Sequence, residues 1–221
     1  MSRQVIFSLI AEGTTDEKFL GSVIFRLLEN LSWKCETGFD VYPIQIIRAK
    51  GESFLEKMTN AAKTAFSCSN ALCIHTDADD RTADTVMQNK INPVIETIST
   101  LEYADICKII IPTIPVQMIE SWMLADTSLL KSLIDATKKS DHDLGIDKQP
   151  ENYSDPKAVI SNAISIVMKD KPKRRRDQVV ISDLYETLGN SINLDSLRKI
   201  PSFAHFEEEV CNALRDLGLM H

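Results

Sequence analysis

The sequence predicts an α/β protein in which a mostly parallel sheet is flanked by helices and followed by a helical C-terminal part. Short apolar runs alternate with segments of helical periodicity in the first half of the chain, and no strand-like run follows about residue 115. This alternation is typical of parallel strands, which need helical crossovers. The length of 221 residues favours one domain, or one domain with a helical appendage.

Four apolar runs rich in β-branched residues are predicted to be strands covered on both faces. They are residues 4–11, 40–47, 71–76 and 107–112. Pro43 lies inside the second run, and a proline in a strand is typical of an edge strand or of a strand start. The first and third strands are expected to be neighbours in the sheet.

The spacing of apolar residues predicts helices between and after these runs. They cover residues 15–30, 52–66, 82–101, 116–134, 157–169, 181–188, 194–200 and 203–217. Glycine and prolines within residues 141–156 predict a polar connection. We therefore place an α/β domain at residues 1–138 and a helical C-terminal extension packed on it at residues 139–221.

Composition limits the class of protein. The net charge of −7 shows that the whole chain is not built as a polycation for nucleic acid, although a local patch can still bind it. Five cysteines without a CxxC or zinc-type spacing predict free thiols in a reducing compartment. No apolar run approaches the roughly 20 residues that cross a bilayer. We expect a cytoplasmic protein that does not bind membranes.

Acidic residues stand where the first predicted strand ends. Glu12 and Gly13 follow the apolar run directly, and Asp16 lies in the first turn of the next helix. Ligands of open α/β sheets bind outside the carboxyl ends of the strands, so Glu12 and Asp16 could face one crevice there. The alternative is that both are helix-start residues that interact with the helix dipole.

A second acidic segment, HTDADD, follows the third strand. In an extended segment Asp77 and Asp79 point the same way and could grip one cation together. Carboxylates crowded with Glu12 and Asp80 are tolerable mainly when a hard cation such as Mg²⁺, Mn²⁺ or Ca²⁺ neutralises them. The alternative is a solvated turn, and His75 fits a residue packed beside the site better than a ligand.

Two further segments carry charges of interest. Glu120 lies in TIPVQMIESWMLAD, beyond the fourth strand, where it could complete the site or pair with a basic residue such as Arg48; nearby Trp122 is expected in the core.

The segment KDKPKRRRD has the densest positive charge of the chain, and it is either a nucleic-acid contact or a solvated loop that pairs with acidic residues. Its predicted phosphate contacts are Lys171, Lys173, Arg174, Arg175 and Arg176.

Taken together, these segments resemble a known arrangement. EGTTD after one strand and DAD after a later one are similar to the glutamate-glycine and DxD motifs of TOPRIM domains in topoisomerases, primases and OLD-type nucleases. EGTTDEKFL, LCIHTDADD, PVQMIESWMLAD and KRRR resemble a TOPRIM-like bacterial family of unknown function over nearly the whole chain. The resemblance implies a Rossmannoid, TOPRIM-like fold that binds Mg²⁺ or Mn²⁺.

The resemblance also implies roles for single residues. Glu12 matches the glutamate, and Asp77 and Asp79 match the DxD pair, so these three are the expected catalytic residues. Asp16 matches the additional acid of OLD-type enzymes, while Glu120 matches only the narrower family. The expected metal ligands are Glu12, Asp16, Asp77, Asp79, Asp80 and Glu120.

The resulting hypothesis is a Mg²⁺-dependent nuclease that hydrolyses DNA or RNA. The metal would polarise the phosphoryl oxygen, and a second ion or Glu12 as general base would activate water. The resemblance further suggests an ATPase partner and a role in phage defence. Two alternatives stay open, a non-catalytic TOPRIM-like module that binds nucleic acid or protein and a different Mg²⁺ phosphohydrolase. The absence of GxxxxGK[ST] disfavours a P-loop NTPase.

Overall fold

A computed structural model describes residues 3–35, 38–101, 105–169 and 180–220. Its strands are β1 (Arg3–Val5), β2 (Phe7–Ile10), β3 (Phe39–Val41), β4 (Gln45–Ile46), β5 (Ala71–His75) and β6 (Ile110–Thr113). A four-stranded sheet has the order β4-β2-β5-β6, and β1 pairs with β3. All of these pairs are parallel, which confirms the predicted α/β fold, and β2 and β5 are neighbours as expected.

The helices follow the strands and dominate the C-terminal part. They are α1 (Thr14–Ser32), α2 (Phe54–Phe66), α3 (Asp84–Val86), α4 (Asn92–Thr100), α5 (Glu120–Met123), α6 (Thr127–Leu133), α7 (Asp141–Leu144), α8 (Pro156–Lys169), α9 (Leu184–Ser191), α10 (Leu194–Leu197) and α11 (Pro201–Asp216). A π-helical turn, Met87–Ile91, joins α3 to α4. Single 3₁₀ turns lie at Pro150–Asn152 and Ile181–Asp183.

Two of the predicted strands differ from the observed ones for local reasons. The second run contains two short strands separated by residues 42–44, where Pro43 has no N–H to donate to a ladder. The fourth strand begins only at Ile110, because the Cys107 N–H donates to the Ala62 carbonyl of α2 at 3.0 Å and so leaves the sheet. The edge position expected from the proline is confirmed for β4.

The prediction of one helix over residues 116–134 was wrong. Gln117 has a φ of 61°, which a helix does not accommodate, and α5 begins only at Glu120. Asp126 ends this part of the chain by capping α6, since its carboxylate accepts the Leu129 N–H at 2.9 Å. The sequence-based assignment also missed α7, which Ser140 caps inside the segment predicted as a connection.

Residues of β2 and β5 alternate between two cores on opposite faces of the sheet. Leu9 and Cys73 face the larger core, with α1 and the C-terminal helices. Ile10, Leu72 and Ile74 face the smaller core, with α2 and α4. The period of two that strands impose therefore continues through the apolar run that precedes the acidic residues.

The C-terminal helices pack onto the sheet through the larger core. Trp122 is fully buried there, with ring centroids 5.0 Å from Phe203 and 5.6 Å from Phe206 of α11, which confirms its expected core position. On α1, Arg26 donates hydrogen bonds to the carbonyl groups of Gly189 and Ile192 at 3.0 and 2.7 Å. The domain boundary at residue 138 stays a prediction.

The cysteines agree with the expectation from composition. The cysteines are free thiols, and Cys73 and Cys107 are buried, with burial raising the pKa of both. Over the described ranges, none of the helices combines the length and the apolar character that a bilayer crossing requires.

The close packing of α1 against α9 predicts how two glycine substitutions change the free energy of unfolding. A Cβ added at Gly189 would lie 2.7 Å from the Phe19 carbonyl oxygen and 2.9 Å from Phe19 Cα, whereas a Cβ at Gly21 of α1 would meet no atom within 4 Å. We expect Gly189→Ala to lower the free energy of unfolding by about 1–3 kcal/mol. Gly21→Ala, the matched control, should raise it by about 0.5–1 kcal/mol. Urea unfolding measures both, and equal effects would contradict this packing.

Candidate site at the carboxyl ends of the strands

The segments that follow β5 and β6 stay hydrogen-bonded to each other beyond the strand ends. The Ala78 N–H donates to the backbone carbonyl of Pro115 at 3.0 Å. The Asp79 N–H donates to the backbone carbonyl of Gln117 at 2.9 Å, and the Gln117 N–H donates to the backbone carbonyl of Asp80 at 3.0 Å. Asp79 and Gln117 both have left-handed backbones, with φ of 51° and 61°. Such conformations are uncommon for residues other than glycine and persist where neighbouring contacts hold them.

Asp77 is fixed at the centre of this edge. Its Oδ1 accepts the Ile119 N–H at 2.9 Å, which connects the end of β5 to the residue before α5. The same oxygen lies 3.3 Å from Nε2 of His75. His75 is only 1% exposed, and neither of its ring nitrogens makes a hydrogen bond with a described residue. The position of His75 beside the site agrees with the prediction, but its missing hydrogen bonds do not follow from the sequence.

Glu120 is buried, at 3% exposure, and its partners come from the C-terminal helices. Its Oε1 accepts a hydrogen bond from the Tyr185 hydroxyl of α9 and lies 3.6 Å from Nζ of Lys157 on α8. The pKa of Tyr185 is raised by burial and by the hydrogen bond to Glu120, so the phenol remains the donor. Glu120 therefore does have a basic partner, but not Arg48, which pairs with Glu17 at 3.1 Å.

Asp16 lies close enough to these groups to be affected by their charges. Burial raises the pKa of its carboxyl group, His75 lowers it in part, and the carboxylates of Asp77 and Glu120 raise it further. Its Oδ2 accepts the Gly13 N–H at 3.0 Å, which caps the start of α1. We call Asp16, His75, Asp77, Glu120 and Tyr185 the inner cluster.

Glu12 has different neighbours. Its Oε1 accepts a hydrogen bond of 2.6 Å from the Thr76 hydroxyl. The same hydroxyl oxygen lies 3.4 Å from Nζ of Lys90, which is positioned to donate to it. We call Glu12, Thr76 and Lys90 the outer group. Glu12 is exposed and Lys90 is partly buried.

The two groups differ because consecutive strand residues point to opposite faces of the sheet. Thr76 continues the series of Leu72 and Ile74, which face the smaller core, whereas His75 continues the series of Cys73, which faces the larger core. The expectation that the acidic residues meet in one crevice is therefore met only in part. Asp16, Asp77 and Glu120 come together, while Glu12 lies with Thr76.

The ion-binding arrangement expected for these carboxylates is not formed among the described residues. No group of three or more histidine, cysteine, aspartate or glutamate side chains there is arranged to hold a metal ion. Glu12, Asp16, Asp77 and Glu120 instead accept hydrogen bonds from separate donors, with none shared between two carboxylates. The left-handed backbone of Asp79 also removes the extended segment that was the premise for a face shared with Asp77. The shared metal-binding role of these carboxylates stays a prediction.

Asp79 and Asp80 are exposed on the loop beyond Asp77, where Asp80 Oδ1 accepts the Arg81 N–H at 2.7 Å. The predicted nucleic-acid contacts lie outside the described residues, so they stay predictions; they are Lys171, Lys173, Arg174, Arg175 and Arg176. Sequence reasoning missed Tyr185 and Lys157 as neighbours of Glu120. Only the contact between the C-terminal helices and α5 reveals them, and no local sequence pattern marks them.

The comparisons with known proteins identify a family without a function. A family profile described as a domain of unknown function, DUF4276, matches residues 11–210. The chain belongs to this family. The matched range begins just before Glu12 and includes the C-terminal helices that hold Tyr185 and Lys157. No curated protein and no solved structure matches the chain. A family of unknown function was expected, and its relation to TOPRIM domains stays a prediction.

The burial of Asp16, together with the nearby carboxylates, predicts a pH-dependent stability. In the folded protein its pKa is raised above the ordinary 3.8, so the folded protein binds this proton more tightly than the unfolded chain does. The wild type therefore loses stability as the pH rises from 3.8 through the raised pKa that Asp16 has in the folded protein. Asp16→Asn keeps an acceptor for the Gly13 N–H but removes the charge. In chelator, we expect the variant to melt at a higher temperature than the wild type at pH 7, with no such gain near pH 3.8.

Thermal unfolding between pH 3.8 and pH 8 measures this difference. Glu208→Gln, which changes an exposed carboxylate on α11, is the matched control and should melt like the wild type throughout. A melting difference for Asp16→Asn that does not change with pH would contradict the electrostatic explanation.

Proposed function

We propose that the protein hydrolyses phosphodiester bonds of nucleic acid with a divalent cation, Mg²⁺ or Mn²⁺, bound at the inner cluster. The observation that carries this proposal is the grouping of Asp16, Asp77 and Glu120 around the buried His75 at the carboxyl ends of parallel strands. That edge is where open α/β sheets bind their ligands. The TOPRIM resemblance of the flanking motifs supports the same reaction class.

Two properties of the inner cluster favour a cation. Burial, and to a smaller extent the carboxylates of Asp77 and Glu120, raise the pKa of Asp16, and a bound cation would offset both costs of keeping its charge. His75 is also unusual: among the described residues its Nδ1 has no hydrogen-bond partner, and Nε2 has only the 3.3 Å contact with Asp77, whereas buried polar atoms in native proteins nearly always have a partner, an ordered water and an ion included. Hydrogen bonds to Asp77 and Glu120 already engage one oxygen of each, so an ion would compete for them.

The chemistry of the donors fits Mg²⁺ or Mn²⁺, which prefer carboxylate oxygens. The residues that would hold the ion are Asp16, Asp77 and Glu120, with Asp79 and Asp80 on the adjoining loop; because they are not arranged around an ion in this structure, their side chains would have to turn towards it on binding. When bound, such an ion supplies Lewis-acid stabilisation of the charge that develops on a phosphoryl oxygen.

Glu12 is suited to accept a proton from water. It is exposed, and its hydrogen bond from Thr76 uses only Oε1. Among the described residues no donor binds Oε2, so this oxygen is available to a water molecule at the same strand end. The role of general base proposed for Glu12 rests on this free oxygen.

The resemblance extends the proposal to partners. It suggests that the protein acts beside an ATPase in phage defence and that the basic segment 171–176 holds the nucleic acid. A second candidate function is a non-catalytic binding module. The separate hydrogen bonds of the four carboxylates favour this candidate, because they satisfy each carboxylate without an ion.

Asp77→Asn tests the proposal. The asparagine side-chain oxygen can still accept the Ile119 N–H, so the change removes the charge and keeps the hydrogen bond. We expect Mg²⁺ and Mn²⁺ to bind the variant at least about tenfold more weakly than the wild type, since a charged ligand is lost. Cleavage of plasmid DNA and of RNA should fall with it. Calorimetric titration and gel assays on the same samples measure both quantities.

Glu208→Gln serves again as the control with an exposed carboxylate, and it should bind and cleave like the wild type. Metal binding without cleavage by the wild type would favour the binding module or a missing partner. A wild type that binds neither ion would contradict the proposed metal site.

A further inference from the structure

Lys90 occupies an unusual position among the cations at this edge. It lies on the π-helical turn Met87–Ile91, which interrupts the helix between α3 and α4. Such turns are rare and are frequent at functional sites. Pro93 follows shortly after and has no N–H to donate to an α-helical ladder, which explains in part why the chain departs from α-helical geometry here.

The ammonium group of Lys90 contacts a hydroxyl group and an aromatic ring, and it forms no ion pair within the described ranges. Its Nζ lies 3.4 Å from Thr76 Oγ1 and 5.7 Å from the ring centroid of Phe54, at the start of α2. The Thr76 hydroxyl donates to Glu12 at 2.6 Å, so its oxygen is left to accept from Lys90. The Thr76 hydroxyl therefore lies between the Lys90 ammonium group and the Glu12 carboxylate.

Three other cations near this edge are paired with carboxylates. Their pairs are Arg48 with Glu17 at 3.1 Å, Lys18 with Glu186 at 3.4 Å, and Lys157 with Glu120 at 3.6 Å. Lys90 forms no ion pair with a described residue. An ammonium has three N–H donors, and the contact with Thr76 accounts for one of them. The remaining donors and the charge are available to an anion.

We propose that Lys90 binds a non-bridging phosphate oxygen of the nucleic-acid substrate. Lysine is a common phosphate ligand because its ammonium acts as a compact charge with several donors. The cation–π contact with Phe54 limits the freedom of the side chain before the substrate arrives. This inference rests on the proposed function, and it adds a substrate contact that lies apart from the basic segment 171–176.

The same inference gives the substrate a location. Thr76, beside Lys90, and Asp77, in the inner cluster, are consecutive residues at the end of β5 and point to opposite faces. A phosphodiester held by Lys90 therefore lies across the end of β5, next to Glu12. The exposed oxygen of Glu12 would then be close to the bond that is cut.

The test compares Lys90→Met with the wild type in binding a fluorescent oligonucleotide, with Ca²⁺ in place of Mg²⁺. Ca²⁺ takes the same oxygen ligands. We expect the variant to bind about tenfold more weakly, since a charge-assisted hydrogen bond is lost. The slope of log affinity against log salt should fall in magnitude by about 0.7–0.9, the value for one phosphate contact. Lys90→Arg keeps the charge and should restore most of the slope.

Lys63→Met, on the exposed side of α2, is the control for loss of one positive charge and should keep the wild-type slope. Unchanged melting temperatures show that the variants fold. A Lys90→Met protein that binds with the wild-type affinity and slope would overturn the inference. If the wild type binds the oligonucleotide but does not cleave it with Mg²⁺, the result counts against hydrolysis by this chain alone, while the Lys90 result still stands. A wild type that does not bind the oligonucleotide would overturn both.

Discussion

The parallel pairing of β2 with β5 and of β5 with β6 is the constraint on which the candidate site depends. Ile10 is paired with Ile74, and His75 with Thr113, so the three strands end at one edge of the sheet. Glu12, Asp77 and the segment before Glu120 leave the sheet there for this reason alone. A shift of the β5 register by one residue would exchange the faces of Thr76 and Asp77 and would separate both from their present partners.

The period of two within β5 divides the site into two groups with different chemistry. The inner cluster, on the face of the larger core, contains Asp16, whose pKa is raised by burial and further by the nearby carboxylates, and a buried histidine whose ring nitrogens make no hydrogen bond with a described residue. The outer group places a carboxylate and an ammonium on either side of one hydroxyl. The C-terminal helices contribute to the inner cluster through Tyr185 and Lys157, so they are part of the candidate site as well as of the core.

Local patterns in the sequence were sufficient for the fold and for the position of the acidic residues at the strand ends. Apolar runs and helical spacing predicted the parallel sheet, the pairing of the first and third strands, and the acidic residues at their ends. The grouping of these residues was only partly predictable. A left-handed backbone at Asp79 depends on its hydrogen bond to Gln117, and the partner of Glu120 comes from α9, 65 residues later. Such long-range contacts leave no trace in local spacing.

The central claim is that the inner cluster binds a divalent cation, and diffraction from crystals grown with Mn²⁺ tests it most directly. The account predicts an anomalous peak within coordination distance of the Asp77 carboxylate, with Asp16 or Glu120 as a second ligand. It also predicts that the peak is absent in Asp77→Asn crystals grown in the same way. A well-ordered inner cluster without a peak at saturating Mn²⁺, or a peak only at carboxylates elsewhere in the molecule, would contradict the account.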